Sequence, residues 1–337
     1  MTTSGTTSFN PTQLQIITEA LALIRVGVDE EPLTASQSQD AERTLNLMVK
    51  AWQADGLHLW TKTEGVIFLE SGQPQYKLGG SNTTRSCLYD DLVDTALAAD
   101  ASSGAFTITV DDATGIASGD QIAVEIGGNL LQWTTVNGAP AGNVITLTAA
   151  LSEDVETDGA VFSYTTKLVR PTRMLQARRR IYAPDQSDWN DIWLTILERP
   201  DYYSQPTKRQ PGTETMIYYD PQLVTGLMQM WQAPSVETDL VLFTFERPLD
   251  DFTTLTQTAD FPQEWIETLA WNLAYRLAGK YSFPLDERTQ LGVVAEAMKQ
   301  KLLGFDREYG SVNFQPDFTS QGGFPSGYGY GPGGAFK

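Results

Sequence analysis

The chain contains one histidine, His58, and one cysteine, Cys87, among its 337 residues. Catalysis of the Ser–His or Cys–His type needs a histidine base, so it would have to use His58. Neither a G-x-S-x-G elbow nor a G-x-x-x-x-G-K-[ST] phosphate loop accompanies it. A lone cysteine excludes a disulfide within the chain, and structural zinc needs more ligands. We interpret His58 as a structural or surface residue and expect no enzyme, catalytic residue, cofactor or metal.

Carboxylates are abundant: 42 Asp and Glu residues against 23 Lys and Arg give a formal net charge of −19. The pairs Asp111–Asp112, Asp188/Asp191 and Asp250–Asp251 lie in turn-like contexts, and the D-x-D-x-D-G spacing of a calcium loop is absent. We interpret them as turn and cap residues. No spacing singles out a pair for glycoside cleavage, so a glycan hydrolase stays an alternative. The negative charge argues against tight nucleic-acid binding, which needs cations for the phosphates.

Arg178, Arg179 and Arg180 form a basic run. Successive side chains of a strand point to opposite faces, so Arg178 and Arg180 would share one face and Arg179 the other. Three arginines are too few to bind nucleic acid in a chain of this charge. We predict salt bridges to acidic neighbours or ion pairs with another subunit.

Aromatic residues concentrate in two stretches. YDPQLVTGLMQMWQAPS, residues 219–235, offers a sugar platform, although such residues more often anchor cores and interfaces. A carbohydrate-binding module built on the β insert is a second alternative. From 310 to 337, glycine interleaved with Phe and Tyr cannot build a core alone. We predict an extended arm there that becomes ordered on binding a partner. The predicted partner-binding residues of the arm are Phe314, Phe318, Phe324, Tyr328, Tyr330 and Phe336.

Helices are predicted at both ends of the chain, because apolar residues recur there at steps of three and four. Asn10 with Pro11 would cap the first helix, and Thr34 with Gln37 has capping-box spacing for the second. The apolar stripes of these helices are Leu14, Ile17, Leu21, Ile24 and Val28, then Ala41, Leu45, Met48 and Trp52. The stripes of the two closing helices are Trp265, Leu269, Leu273 and Leu277, then Leu291, Val294, Met298 and Leu302.

Strands are predicted between the helices. TEGVIFLE and PQYKL look like a hairpin. Five short strands follow in a segment rich in Ala, Gly, Thr and Asp: Phe106–Val110, Gln121–Ile126, Leu130–Val136, Val144–Leu147 and Val161–Tyr164. Strand-like runs of the host domain are Met174–Ile181, Met216–Tyr219, Leu227–Trp231 and Leu240–Phe245.

The predicted fold class is α+β. A helical layer formed by the N- and C-terminal helix pairs would pack against β-strand regions, with an inserted small antiparallel β-barrel or sandwich. We predict a core from 1–92 and 166–309, an inserted β-domain at 93–165 and the arm at 310–337. The N-terminus lacks a signal sequence and no apolar run is long enough to span a membrane, so we expect a soluble protein of a reducing or intracellular compartment.

The order of several motifs resembles the head-to-tail adaptor family of tailed bacteriophages, also called head-completion or tail accessory factors. The segment TEALALIRVGVDEEPLTASQSQDAERTLNLMVKAWQADGLHLW is similar to the family's opening, with a Leu-Asn pair at Leu45-Asn46 and Trp52 before the Asp55-Gly56-Leu57 turn. TVDDATGIASGDQIAVEI resembles the β-domain of longer members. ERPDYYSQPTKRQPGTETMIYYDPQ followed by GLMQMWQAPS resembles the family's stretch before its closing helices, and so does FERPLDDFTTLTQTADFPQEWIETLAWNLAYRLAGKY. The resemblance spans most of residues 11–305.

This resemblance implies a structural virion protein at the head-tail interface, made in the host bacterial cytoplasm. It would form a ring of twelve that binds the portal protein above and tail nozzle or tail hub proteins below. The ring would extend the DNA channel, and packaged DNA would pass without sequence-specific binding. The family offers no catalytic motif to carry over to this sequence.

Overall fold

The computed structural model describes residues 9–26, 33–55, 59–80, 84–183 and 190–305. The chain divides into the units Met1–Asp306 and Arg307–Lys337, and every described residue belongs to the first. His58, Asp188 and the predicted arm with its six aromatic residues lie outside the described residues. None of the described helices is long and apolar enough to cross a membrane.

The described residues form five helices: α1 (Gln13–Leu23), α2 (Ala35–Asp55), α3 (Arg199–Ser204), α4 (Ile266–Ala278) and α5 (Leu285–Phe305). The predicted cap of α1 by Asn10 is wrong. Thr12 caps the helix, because its hydroxyl accepts a hydrogen bond from the Gln15 amide (3.4 Å) while the Gln15 side chain accepts one from the Thr12 amide (2.8 Å). This reciprocal box satisfies two backbone donors and starts the helix at Gln13.

The capping box of α2 is confirmed. The Thr34 amide donates to Gln37 Oε1 at 3.0 Å, and the Gln37 amide donates to Thr34 Oγ1 at 3.3 Å.

The four predicted apolar residues of α2 and the four of α4 are all buried. The stripes of α1 and α5 are wrong in part. Leu14 is exposed whereas Ile16 is buried, and Val294 is exposed whereas Ala295, one position further, is buried. Val28 lies outside the described residues.

The helical layer is confirmed. Buried residues of α1, α2, α4 and α5 belong to one apolar cluster, although the two helix pairs are about 200 residues apart in sequence. Its centre is aromatic: the ring centroids of Trp52 and Trp265 lie 5.9 Å apart, and Phe261 packs 6.4 Å from Trp52. Tilted and edge contacts of this kind add to the free energy of burying the rings.

Seventeen short strands lie between the helix pairs in the described residues. They are β1 (Lys62–Phe68), β2 (Gln75–Leu78), β3 (Ser86–Leu88), β4 (Val93–Ala96), β5 (Thr107–Thr109), β6 (Gln121–Ile126), β7 (Leu130–Thr135), β8 (Val144–Thr146), β9 (Ala160–Tyr164), β10 (Arg173–Ile181), β11 (Asn190–Trp193), β12 (Thr195–Ile196), β13 (Pro211–Gly212), β14 (Met216–Asp220), β15 (Gly226–Trp231), β16 (Ala233–Pro234) and β17 (Leu240–Glu246). The nine strands predicted in the insert and the host domain all occur, within one or two residues at their ends.

The central sheet is antiparallel, in the order β11-β10-β17-β1-β3, and apolar layers cover both its faces. Ile67 and Val241 face a core shared with the sheet β12-β14-β15-β2. Val66 and Leu242 face a second core shared with β6, β7 and β9. A strand buried on both faces carries apolar residues at consecutive positions, which explains the uninterrupted run at the end of β1.

The predicted hairpin of TEGVIFLE with PQYKL is wrong. β1 pairs with β17 along its whole length, from Lys62↔Glu246 to Phe68↔Leu240. β2 instead pairs with β15 in the other sheet. Seven residues of antiparallel pairing to a distant strand, with burial on both faces, outweigh the local turn signal.

The segment predicted as an insert forms the sheet β4-β9-β6-β7 and the smaller sheet β5-β8. An apolar cluster that includes Leu97, Ile108, Ile122 and Val161 lies within it. The sheets of the described residues do not close into a barrel. The α+β class is thus confirmed, whereas the barrel is not found, and the boundaries of a separate inserted domain stay a prediction.

Candidate functional site

The three consecutive arginines lie on β10, between β17 and β11 in the central sheet. Arg178 lies opposite Leu242, which faces the 93–165 segment, and Arg179 lies opposite Val241, which faces the other sheet. Residues directly opposite one another share a face, so Arg178 and Arg180 point toward the 93–165 segment and Arg179 points away. The predicted alternation of the three side chains is confirmed.

Arg178 and Arg180 share the carboxylate of Asp191. Arg180 Nε and Nη2 donate to its two oxygens at 2.8 and 2.9 Å, and Arg178 Nε donates to Oδ2 at 2.8 Å. Arg178 also donates two bonds, of 2.9 and 3.0 Å, to Glu64, and Arg180 donates to the Tyr89 hydroxyl at 3.0 Å. Paired donors of this geometry are among the strongest hydrogen bonds in proteins.

The surroundings of Asp191 contradict its interpretation as a turn residue. It lies on strand β11, directly opposite Arg180. Its hydrogen bonds from Arg180, together with the nearby positive charges, hold the pKa of the Asp191 carboxyl below its usual range. Asp112 does serve a turn, since its carboxylate accepts the Thr114 amide at 2.8 Å. Asp251 instead pairs with Lys50 of α2 at 2.8 Å.

Arg179 lies between two buried carboxylates on the opposite face. Its Nη1 is 3.7 Å from Glu214 Oε2, and its Nε is 3.8 Å from Asp239 Oδ2. Burial raises the pKa of both Glu214 and Asp239, and the positive charge of Arg179 opposes that shift. The guanidinium therefore favours the ionised form of two carboxylates whose burial disfavours it, and an uncompensated buried charge is costly.

All three arginines thus pair with carboxylates of their own chain. The salt-bridge interpretation is confirmed for acidic neighbours within the chain. Ion pairs of Arg178, Arg179 and Arg180 with another subunit stay a prediction. Within the fold, these pairs fix the edge strand β11 and the loops that carry Glu214 and Asp239 to the central sheet.

Asp94 of β4 extends this ionic group into the 93–165 segment. Burial raises the pKa of Asp94 to about 6, and the charge of Arg180 opposes the shift. Nearby, the Tyr182 hydroxyl donates to the Asp158 carbonyl at 3.2 Å, and the Tyr182 amide donates to Asp239 at 3.3 Å. These contacts join the central sheet to the 93–165 segment through polar as well as apolar groups.

A cavity of about 710 Å³ opens beside this junction. Within the described residues its lining contains no lysine or arginine, and its five carboxylates are Glu125, Asp154, Glu156, Asp158 and Asp239. Three of these carboxylates already accept hydrogen bonds from backbone amides. Glu125 accepts the Ala160 amide and Asp154 the Ser103 amide, both at 2.8 Å, and Asp239 accepts the Tyr182 amide at 3.3 Å. In the part of the chain that the structure describes, no group of three or more His, Cys, Asp or Glu side chains is arranged to hold a metal ion.

A second cavity, of about 770 Å³, is a groove between α4 and α5. We call it the α4–α5 groove. Tyr275 packs closely on Gly292, where an added Cβ would lie 2.7 Å from the ring. Cations cover aromatic rings here: Arg288 lies 5.7 Å from the Tyr275 ring centroid, and Lys299 lies 5.5 Å from that of Trp52.

The rim of the α4–α5 groove is apolar and exposed. Leu285 is 74% exposed and Val293 is 67% exposed, and both line the groove. Side chains of this kind, beside aromatic rings and cations, suit an apolar or aromatic segment of a binding partner.

Comparisons with known proteins found weak structural similarities. The chain matches no protein-family model and no curated protein sequence. It is similar to the solved structure of VP17, a capsid protein of bacteriophage P23-77, with 12% identity and a TM-score of 0.12 over 58% of this chain and 77% of that chain. It is also similar to the VP16–VP17 complex of the two major capsid proteins of that phage, with 11% identity and a TM-score of 0.12 over 58% and 79%. Such TM-scores do not establish a shared fold.

Sequence reasoning identified the arginine run but missed its partners and both cavities. Glu64, Glu214 and Asp239 come from distant parts of the chain, and no local spacing connects them to β10. The α4–α5 groove did leave a signal. Leu285 and Val293 lie outside the apolar stripe of α5, so the helical period of 3.6 residues predicts that both side chains are exposed.

Proposed function

We propose that this chain is a structural protein of a phage virion, a head-to-tail adaptor that joins the portal to the tail. The helical layer carries the proposal. Two segments that resemble the adaptor family, 18–60 and 245–281, are far apart in sequence, yet their helices share one core. Family-like segments that pack together support a common fold better than either segment alone.

In this proposal twelve copies form a ring beneath the portal. The ring extends the DNA channel, helps to retain packaged DNA and presents a surface for tail nozzle or tail hub proteins. The chain acts by assembly and has no catalytic activity. Its place is the head-tail interface of the virion.

Charge supports a channel that DNA passes without adhering. Each copy carries a formal net charge of −19, and the three arginines of β10 are already paired within the chain. We expect a lumen lined mostly by acidic or neutral side chains, because cations facing the lumen would bind phosphates and slow DNA. A lumen lined by Arg and Lys from every subunit would contradict this part of the proposal.

The same charge predicts how the ring forms. Like-charged copies repel one another at low salt, so the purified chain should be monomeric or weakly associated and should form rings on the portal. Mass photometry of the chain at low salt, with and without purified portal of the same phage, tests this expectation. A stable ring without portal would contradict the assembly order, and no binding to portal would contradict the proposed function.

The arm gives a matched variant for that experiment. Deleting residues 311–337 should leave the fold intact, because α5 ends at Phe305. It should lower the occupancy of the portal, since the arm's aromatic residues are the proposed partner-binding groups. Unchanged affinity and occupancy would show that the arm has no part in assembly.

A further inference from the structure

The α4–α5 groove has the features of a binding site for an aromatic segment. Leu285 and Val293 expose apolar surface on its rim, and its floor contains the Tyr275 ring. Arg276, Arg288 and Lys299 line it with one carboxylate, Glu296. Lys299 pairs with Asp55 of α2 at 2.8 Å, so the positive charge that the groove offers comes from Arg276 and Arg288. Guanidinium groups beside exposed rings favour further aromatic rings and carboxylates as ligands.

The chain itself supplies a segment of matching chemistry. Residues 307–337, which comprise the predicted arm and the three residues before it, are separated from the last helix by one residue. Their part GGFPSGYGYGPGGAFK places aromatic residues between glycines and prolines. Aromatic side chains flanked by glycines fit a narrow groove, because the glycine backbone on either side can approach the helices closely. Asp317 offers a carboxylate to Arg276 and Arg288.

The length of that segment allows a second copy to supply it. The 31 residues 307–337 span about 100 Å when extended, at roughly 3.3 Å per residue. The 21 residues of α5 span only about 32 Å, at about 1.5 Å per residue. A segment three times longer than the helix that bears the groove can leave its own subunit and reach a neighbour.

We propose that the α4–α5 groove of one copy binds residues 307–337 of a second copy. The inference rests on the proposed ring, in which copies lie side by side, and it names the surface that receives the arm. It makes the arm a link from subunit to subunit, and binding of the arm by the portal becomes an alternative outcome.

Disulfide cross-linking between two different variants tests the proposal. The donor is the full chain with Tyr328→Cys, and the acceptor is chain 1–306 with Val293→Cys, which has a groove and no arm. Diamide serves as oxidant, taking two electrons as the two thiols form one disulfide. Cys87, the natural cysteine, is buried, so the unsubstituted chains provide a low background. The acceptor with Val144→Cys, an exposed valine on β8, is the matched control.

We expect at least fivefold more donor–acceptor dimer with Val293→Cys than with Val144→Cys. Adding Leu285→Glu to the acceptor should abolish the excess, whereas Leu223→Glu, a change at an exposed leucine outside the groove, should preserve it. Equal yields at positions 293 and 144 would overturn the proposal.

A full chain that carries both Val293→Cys and Tyr328→Cys distinguishes an arm that binds the groove of its own copy from an arm that binds the groove of a second copy. Closure of this variant as a monomer, without cross-linked dimers, would mean that the arm binds its own groove, and it too would overturn the proposal. Neither negative result touches the proposed adaptor function, which is measured separately by ring formation on the portal.

Discussion

The charged side chains of β10 and those of the α4–α5 groove lie in contrasting surroundings. On β10, each arginine contacts a carboxylate of the same chain, and the carboxylates beside Arg179 are buried. In the groove, Arg288 covers the Tyr275 ring, and Lys299 covers the Trp52 ring while it also pairs with Asp55 at 2.8 Å. The same surface exposes Leu285 and Val293. The contrast teaches that the basic run serves the fold, whereas the less conspicuous helical groove has the properties of a contact surface.

The largest expected effect is at Arg179. Arg179→Met should destabilise the fold by about 3–5 kcal/mol, because it leaves Glu214 and Asp239 buried without their cation. Urea unfolding at pH 8 measures the loss. Arg173→Met, at an exposed position of the same strand, is the control and should cost less than about 0.5 kcal/mol.

The pH dependence of this loss sharpens the test. Burial raises the pKa of both carboxylates, so their ionisation opposes folding above the unfolded pKa and costs nothing below it. The deficit of Arg179→Met should therefore shrink as pH falls from 8 to 5. A deficit independent of pH would mean that Arg179 stabilises the core by packing alone.

Asp94 gives the next effect. Its pKa is raised to about 6 from 3.8, so ionised Asp94 opposes folding, with a penalty that is absent below pH 4 and complete above pH 6. Asp94→Asn should gain stability relative to wild type as pH rises from 4 to 7, by at most about 3 kcal/mol. Asp112→Asn is the control of opposite sign, because hydrogen bonds from Thr114 lower the pKa of the exposed Asp112. A stability difference between Asp94→Asn and wild type that does not change with pH would mean that ionisation of Asp94 does not oppose folding.

A moderate effect is expected at Asp191. Asp191→Asn keeps the shape of the side chain but weakens its bonds to Arg178 and Arg180, so we expect a loss of about 2 kcal/mol. Asp220→Asn breaks an ion pair of similar length, 3.0 Å, whose Arg199 is 63% exposed. That loss should stay below about 1 kcal/mol. Thermal unfolding measures both losses of stability. Equal losses for Asp191→Asn and Asp220→Asn would show that the half-buried and the exposed ion pairs stabilise the fold to the same extent.

The smallest effect on stability belongs to the groove. Val293→Glu should change the free energy of unfolding by less than about 0.5 kcal/mol, because the side chain is already largely exposed. Val294→Glu, at the neighbouring exposed position outside the groove lining, is the matched control. A loss above about 2 kcal/mol at Val293 alone would show that the groove is part of the core.

Local structure was predicted well from the sequence where apolar residues repeat with a single helical or strand period. The stripe of α2 and the five strands of the 93–165 segment follow from apolar periodicity and turn residues. The hairpin of β1 with β2 failed because pairing to β17, which follows 171 residues later, decides the position of β1. Val294 was misplaced because Leu291 and Ala295 complete the buried face of α5, and alanine carries a weak apolar signal.

The candidate sites were less accessible to sequence reasoning. Alternation on a strand placed Arg178, Arg179 and Arg180 on the correct faces before any partner was known. Their partners depend on sheet order, since Asp191 reaches Arg180 only because β11 forms the edge beside β10. The α4–α5 groove likewise exists only once two helices pack, because Tyr275 and Gly292 belong to different elements.

The most direct test of the central claim is electron cryomicroscopy of the chain mixed with purified portal of the same phage. We predict a ring of twelve copies beneath the portal, with an acidic or neutral lumen and the helical layer intact in each copy. Portal particles without added density, or copies bound singly and without ring symmetry, would contradict the adaptor function.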